Sequence, residues 1–111
     1  MEMIELQVKN MNQKSFYKKA MYRQETTETG VKKDLYSYDT YIMTIEKPFA
    51  FEAGKPFGES VITNMTTDEN HLTNTTLKHI REFMQQNELD PLPKRKLVEI
   101  QEKIIEGEYN K

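Results

Sequence analysis

A change of pattern at residues 64–87 constrains the fold of this chain more than any other feature. A turn rich in Thr and Asn leads there directly into an amphipathic helix, on which Leu77, Ile80 and Met84 recur at helical spacing. The residues before the turn are rich in Tyr, Thr and Ile, which fit the half-buried surface of a sheet. The chain is therefore predicted to form strands first and helices second.

The first half of the chain predicts an antiparallel sheet of four or five strands over about residues 3–64. The strongest strand signal covers residues 33–46, where Tyr, Thr and Ile are dense. Both faces of that strand mix polar and apolar side chains, so either a bulge near Asp39 or burial of both faces is expected. Two of the four glycines lie in the densest turn segment, which predicts a hairpin at about residues 54–57.

Two helices are predicted after the sheet, over about residues 74–88 and 92–106. Thr73 or Asn74 is placed to cap the first helix by accepting a hydrogen bond from an unpaired backbone N–H group. Two prolines separate the helices, because proline lacks an N–H and disfavours helix in the residue before it. The expected architecture is one α+β domain over residues 1–111.

The composition excludes several classes of protein. The sequence has no Cys, which excludes disulfide scaffolds, Cys-based zinc sites and thiolate nucleophiles. Its formal net charge of −2 does not indicate general affinity for nucleic acid. The first twenty residues contain no apolar core of a signal peptide, and no apolar stretch approaches the length of a membrane span. A cytoplasmic protein without membrane association is predicted.

No recognisable catalytic set occurs in the sequence. His71 and His79 do not form an H-x-x-x-H pair, and His79 is interpreted as a helix residue packing on the sheet edge rather than as a metal ligand. No serine lies in a strand–turn–helix elbow, and the isolated glycines form no phosphate-binding loop. The chain is therefore predicted to be non-enzymatic and to use no cofactor and no metal.

The charge order of the second helix breaks a local rule. Lys94, Arg95 and Lys96 lie at its N-terminal end, where the helix dipole disfavours each exposed cation by about 0.3–1 kcal/mol. Residues that break a local rule without evident compensation are candidates for function. Arg81 on the first helix would lie nearby if the two helices form a hairpin. These four residues are a candidate partner-binding patch, and an ordinary solvated helix face is the alternative interpretation.

Five tyrosines form a second candidate set, Tyr17, Tyr22, Tyr36, Tyr38 and Tyr41, and the last three are its possible anchors. Tyr on a sheet surface is typical of anchors in protein–protein interfaces. Bases stacked on an aromatic sheet are the corresponding arrangement in proteins that bind single-stranded nucleic acid. Plain half-buried sheet residues are the structural alternative.

Two stretches of the sequence, LYSYDTYIMTI at residues 35–45 and TNTTLKHIREFMQQN at residues 73–87, carry a resemblance. They resemble a small uncharacterised protein family of phages and other mobile elements of low-GC Gram-positive bacteria. That family pairs an LYSY-x-T strand with a helix that opens with TT-x-x-H-x-x-EF. The matching helix residues here are Thr75, Thr76, His79, Glu82 and Phe83. The resemblance implies no activity, but it implies a context, since small Cys-free mobile-element proteins often bind and disable a host protein, including CRISPR effectors.

The predicted function is non-enzymatic binding of a host macromolecule in the bacterial cytoplasm. The specific form is an inhibitor of a host defence system, with a host protein, such as a nucleoprotein effector, as the partner. One alternative is a single-stranded nucleic-acid-binding protein that uses the sheet tyrosines with Lys and Arg side chains. Another is a small structural dimer whose sheet edges pair. The chain is expected to be a monomer or a homodimer.

Overall fold

The computed structural model describes residues 2–52 and 55–109 of the chain. Within these residues the chain forms six strands followed by a short 3-10 turn and two helices. The elements are β1 (Ile4–Glu5), β2 (Ala20–Thr26), β3 (Gly30–Ser37), β4 (Thr40–Glu52), β5 (Lys55–Phe57), β6 (Val61–Met65), α1 (Asn74–Gln86) and α2 (Lys94–Ile105). The predicted α+β class, with the sheet before the helices, is confirmed.

Five of the strands form one antiparallel sheet in the order β1-β2-β3-β4-β6. The short β5 pairs with the far end of β4, where Glu52 lies opposite Lys55. β4 is 13 residues long, which lets it pair with β3 on one side and with both β5 and β6 on the other. The hairpin predicted at about residues 54–57 occurs earlier, since β4 and β5 are antiparallel and residues 55–57 form β5 itself. Residues 53–54 lie outside the described residues.

The single strand predicted over residues 33–46 is wrong, because the chain turns back within it. Tyr38 and Asp39 form a tight turn between β3 and β4, and both have a positive φ, of 51° and 65°. Such turns usually show Asn-Gly or a similar pair, which reaches this backbone region at low cost. A Tyr-Asp pair carries no such signal. The expected bulge does occur, but it lies earlier, between Leu35 and Tyr36.

One face of the sheet is covered by the helices and the other is open. Leu35, Met43 and Ile45 belong to the same buried core cluster as Ile80 and Phe83 of α1. Successive residues of a strand usually point to opposite faces, so the neighbours of Leu35 and Ile45 point to the open face. Ile42 is an exception, because it is buried in the same core cluster as its neighbour Met43. The core therefore lies between the sheet and α1.

Both helices carry a buried stripe and an exposed face. The predicted cap at Thr73 is confirmed, because its Oγ1 accepts a hydrogen bond from the N–H of Thr76 at 3.2 Å. α2 begins after Pro93 without a side-chain cap, and Leu97 and Gln101 are its buried residues. The Nε2 of Gln101 donates to the backbone oxygen of Thr66 at 2.9 Å, which ties α2 to the end of β6. No helix in the described part of the chain is long and apolar enough to cross a membrane.

Candidate functional site

Two tight turns lie side by side at one end of the sheet. The first contains Tyr17 and Lys18, with φ of 53° and 64°, and the second contains Tyr38 and Asp39. Ala20 at the start of β2 lies opposite the end of β3, so the turn before β2 and the turn after β3 are neighbours. The N–H of Tyr38 donates to the backbone oxygen of residue 19 at 2.8 Å and joins the two turns.

The side chains of these turns form an exposed aromatic and charged surface. Tyr17 is 69% exposed and Tyr38 is 51% exposed. The Nζ of Lys19 lies 5.7 Å from the centroid of the Tyr38 ring, within the range of a cation–π contact. We call this region the turn surface and define it as Tyr17, Lys18, Lys19, Tyr38 and Asp39.

The backbone of the turn surface is strained. A left-handed conformation costs a residue with a side chain about 1–2 kcal/mol, and glycine or asparagine would adopt it at lower cost. Here Tyr17 and Tyr38 each take it, followed by Lys18 and Asp39. Strain of this kind persists only where the surrounding structure maintains it, and it is frequent at binding and switching sites.

His79 of α1 supports the turn surface from behind. Its ring lies between two aromatic rings, 4.6 Å from the centroid of Phe16 and 5.9 Å from that of Tyr38. Its Nδ1 lies 2.8 Å from the Oγ of Ser37, which also lies 2.9 Å from the Oγ1 of Thr76. Burial lowers the pKa of His79 to about 4, so the ring is neutral at pH 7. These contacts fix the end of β3, and with it the second turn, against α1.

The Ser37–His79 pair lacks the third group of a nucleophilic triad. In such triads a carboxylate orients the histidine, and no described carboxylate contacts His79. The nearest acidic residue along α1, Glu82, is occupied elsewhere. Ser37 and His79 are only 2% and 1% exposed. The pair therefore acts as an internal connection between β3 and α1.

Glu82 holds a different part of the chain. Its carboxylate accepts hydrogen bonds from the N–H groups of Lys9 and Asn10 at 2.9 and 2.8 Å. The side chains of Asn10 and Gln86 donate to it at 2.7 and 2.8 Å. Burial raises the pKa of Glu82, but these hydrogen bonds together lower it by more than burial raises it. The pKa of Glu82 therefore lies below its usual value. Within the described residues, no group of three or more His, Asp and Glu side chains could hold a metal ion.

A pocket of about 410 Å³ adjoins Tyr38 on the side of α1. Its walls include Thr40, Thr73 and Thr76, together with Asn70 and His71. The Nδ1 of His71 lies 2.6 Å from the hydroxyl of Thr66, which orients its ring. The pocket extends the turn surface with polar side chains that can donate or accept hydrogen bonds.

The three tyrosines predicted from the sequence do not form one surface. Tyr36 and Tyr41 lie on the open face of the sheet, with ring centroids 6.0 Å apart in an edge-to-face arrangement. The hydroxyl of Tyr41 lies 2.6 Å from that of Thr44, and burial raises the pKa of the Tyr41 phenol. Tyr38 is separate from this pair and lies in the turn surface.

The four basic residues predicted from the sequence are exposed but not joined. Lys94, Arg95 and Lys96 lie in the first turn of α2, and the Nζ of Lys96 lies 3.5 Å from a carboxylate oxygen of Glu99. Arg81 lies on the exposed side of α1. In the described part of the chain, no hydrogen bond or ion pair connects Arg81 with the other three.

Tyr17, Lys18 and Lys19 were not among the residues predicted to bind the partner, although Tyr17 belongs to the set of five candidate tyrosines. They precede a strand without any Gly, Asn or Pro to mark a turn, so turn chemistry gives no signal there. The available signal lies in the two motif segments, since Ser37, Thr76 and His79 meet directly behind the turns.

Comparisons with known proteins give one match. A family model described as "Family of unknown function (DUF8033)" matches residues 4–99, which include both turns, α1 and the first half of α2. No curated protein and no solved structure matches the chain. The match covers most of the sequence, and the chain therefore belongs to DUF8033, a family of unknown function.

Proposed function

We propose that the protein is a non-enzymatic binding protein whose turn surface docks onto a protein partner. One observation carries the proposal: two adjacent turns with strained backbone hold the side chains of Tyr17 and Tyr38 exposed to solvent. Glycine or asparagine would adopt the same backbone conformation at a lower energetic cost. Buried contacts from α1 and Phe16 support the second turn. A rigid tyrosine loses little conformational entropy on binding, and interface hot spots are enriched in Tyr.

The charges of the turn surface indicate the charge of the partner's contact surface. Lys18 and Lys19 outnumber the single carboxylate of Asp39, and both lysines are exposed. Positive side chains beside aromatic anchors favour a partner surface that carries acidic groups. The basic residues Lys94, Arg95 and Lys96 are a proposed second contact on another part of the molecule.

The resemblance to mobile-element proteins supports the biological form of this proposal. The partner is then a host protein in the bacterial cytoplasm, and binding disables it. A component of a host defence system, such as a CRISPR effector, is the partner we favour. Ser37, Thr76 and His79 lie in the motif segments that carry the resemblance, and they support the turn surface.

The geometry of the open sheet face favours a protein partner over single-stranded nucleic acid. Base stacking needs exposed aromatic faces. Tyr36 and Tyr41 are half-buried and direct their rings against each other, edge to face. The sheet-edge dimer is the third possibility, and the oligomeric state in solution at high concentration tests it separately.

Affinity capture with matched variants tests the proposal. The wild-type protein, the double variant Tyr17→Ser/Tyr38→Ser and the control Ile105→Ser are immobilised and exposed to nuclease-treated lysate of a low-GC Gram-positive bacterium. Ile105 is 67% exposed on α2, so the control removes exposed apolar surface away from the turns. We expect a protein that the wild type and the control retain, and that the double variant retains at least about tenfold less.

The captured protein is then purified, and its affinity for all three proteins is measured by calorimetry. Circular dichroism verifies that each variant is folded. Equal retention by the double variant and the wild type would contradict the proposal. So would tight, salt-sensitive binding of labelled oligonucleotides by fluorescence anisotropy together with no captured protein, because that result identifies a nucleic-acid-binding protein.

A further inference from the structure

A second pocket lies at the opposite end of α1 from the turn surface. It has a volume of about 390 Å³ and is bounded by the loop after β1, by β2 and β3, and by the last turn of α1. Its apolar wall consists of Leu6, Tyr22 and Phe83. Its polar wall includes Lys9 and Lys33. Amide side chains from the loop after β1 and from the end of α1 complete a lining that is more polar than apolar. A concave site that combines an apolar patch with convergent polar groups can orient a small molecule.

Lys33 occupies an unusual position for a lysine. It shares a face of β3 with Leu35 and Ser37, so it points to the side of the sheet that the helices cover. Its side chain is half-buried, and its Nζ lies 5.8 Å from the centroid of the Tyr22 ring. Among the described residues, no carboxylate lies within ion-pairing distance of Lys33.

The acidic groups near the pocket are already occupied. The carboxylate of Glu88 pairs with Lys47 at 2.8 Å. The carboxylate of Glu82 accepts four hydrogen bonds, from two backbone N–H groups and the side chains of Asn10 and Gln86. A partly buried ammonium group without an anionic partner costs free energy, and a ligand can offset that cost.

The electrostatics of the pocket point the same way. Burial lowers the pKa of Lys33, and the charges of Lys47 and Lys9 lower it further, while Glu88 opposes them. Lys33 and Lys9 therefore place two positive charges at this pocket, and Lys47, which pairs with Glu88, lines the neighbouring one. A perturbed group inside a pocket is a recognised indicator of a binding site. Lys33 also lines a neighbouring pocket of about 240 Å³. A ligand longer than the first pocket could therefore extend past Lys33 into the second.

We propose that this pocket binds a small molecule with an anionic group, which pairs with Lys33 and Lys9, and an apolar body, which packs on Leu6, Tyr22 and Phe83. The anionic group is a phosphate or a carboxylate, since both accept hydrogen bonds from ammonium groups. The site is independent of the turn surface, because the two share no residue.

A structural role for Lys33 gives the opposite prediction for one variant. A cation near the C-terminal end of α1 would be stabilised by the helix dipole, and replacing it would then lower stability. If Lys33 instead serves to bind an anionic ligand, its partly buried ammonium group destabilises the ligand-free protein. Lys33→Met then removes that charge and raises the melting temperature of the ligand-free protein. Lys78→Met is the control, because Lys78 is an exposed residue of α1 outside the pocket.

Thermal unfolding at low ionic strength with three probes tests the proposal. Phenyl phosphate and benzoate carry an apolar ring with either anion, and phenol carries the ring without a charge. We expect phenyl phosphate or benzoate to raise the melting temperature of the wild type and of Lys78→Met, by about 5 °C at ten times the dissociation constant. The stronger of the two identifies the anion. Phenol is expected to give no rise.

Lys33→Met is expected to lose the rise, and Lys9→Ala, a change in an exposed loop residue, to weaken binding by about tenfold. The Lys9 variant decides the matter if the Lys33 variant does not fold. No rise with either anion, a rise that both lysine variants retain, or an equal rise with phenol would overturn the proposal. If Lys33→Met folds, a melting temperature of the ligand-free variant below that of the wild type would also overturn the proposal, in favour of the helix-dipole role.

Discussion

The turn surface and the N-terminal end of α2 both break a local rule, but the fold treats them differently. Tyr17 and Tyr38 take a left-handed backbone, and His79 and its neighbours support the second turn through buried contacts. Lys94 and Lys96 oppose the helix dipole without a cap, and one exposed ion pair to Glu99 is the contact that compensates Lys96. A broken rule therefore points more strongly to function where buried contacts maintain it.

Removing the support should produce the largest difference between the two regions. His79→Ala is expected to lower the free energy of unfolding by about 3 kcal/mol, because it leaves a cavity beside Phe16 and removes one of the two hydrogen-bond partners of the buried Ser37 hydroxyl. Lys96→Ala, which removes the exposed ion pair with Glu99, is expected to cost less than about 0.5 kcal/mol. Urea unfolding measures both. Equal losses would remove the distinction between a supported and a solvated region.

Acidification should act on the supported region. Burial lowers the pKa of His79 to about 4, below its value of 6.5 in the unfolded chain. The unfolded chain binds more protons between these values, so stability is expected to fall as the pH drops from about 6.5 to about 4, by at most about 3 kcal/mol. Hydrogen bonds also hold the pKa of Glu82 below its ordinary value, so its contribution to stability is lost only in more acidic solution than pH 5.

His79→Gln isolates this contribution when urea unfolding is repeated at pH 7 and pH 5. The variant is expected to lose less stability over this interval than the wild type does. Lys96→Gln is the matched control and should keep the wild-type dependence. A His79→Gln profile identical to that of the wild type would mean that the imidazole does not titrate in this window.

Relieving the strain should give a smaller effect of opposite sign. Tyr17→Asn places a residue that tolerates the left-handed region at a φ of 53°, and Tyr17 is mostly exposed. We expect the free energy of unfolding to rise by about 0.5–1 kcal/mol, measured in urea, while partner binding is lost. A variant that is less stable and still binds would show that Tyr17 is retained for stability.

Correcting the charge order of α2 should give the smallest effect. Lys94→Glu places an acid in the first turn of the helix and is expected to add about 0.3–1 kcal/mol at low salt, and less at high salt. Urea unfolding at two salt concentrations measures it. If Lys94→Glu loses partner binding while Tyr17→Asn still binds, the binding site lies on α2 and not on the turn surface.

Sequence reasoning succeeded where structure is set locally. The helices follow from the spacing of apolar residues, and the Thr73 cap follows from a hydrogen bond within one turn of chain. It failed at Tyr38 and Asp39, whose turn is stabilised by contacts with residue 19 and with His79, far away in the sequence. Local patterns contain no information about those partners. The residues of the strained turns do not match the local preferences of such turns. That mismatch hid the turns from sequence reasoning, and it also makes them candidates for function.

The contact between α2 and the end of β6 affects how a shorter version of the protein would behave. The family match ends at residue 99, whereas the buried Gln101 that binds the backbone of Thr66 lies beyond it, as does Tyr109, whose hydroxyl donates to the backbone oxygen of Ile62. A fragment cut at the end of the match would leave both carbonyl groups without these donors. Expression work on relatives should therefore keep the whole second helix and the residues after it.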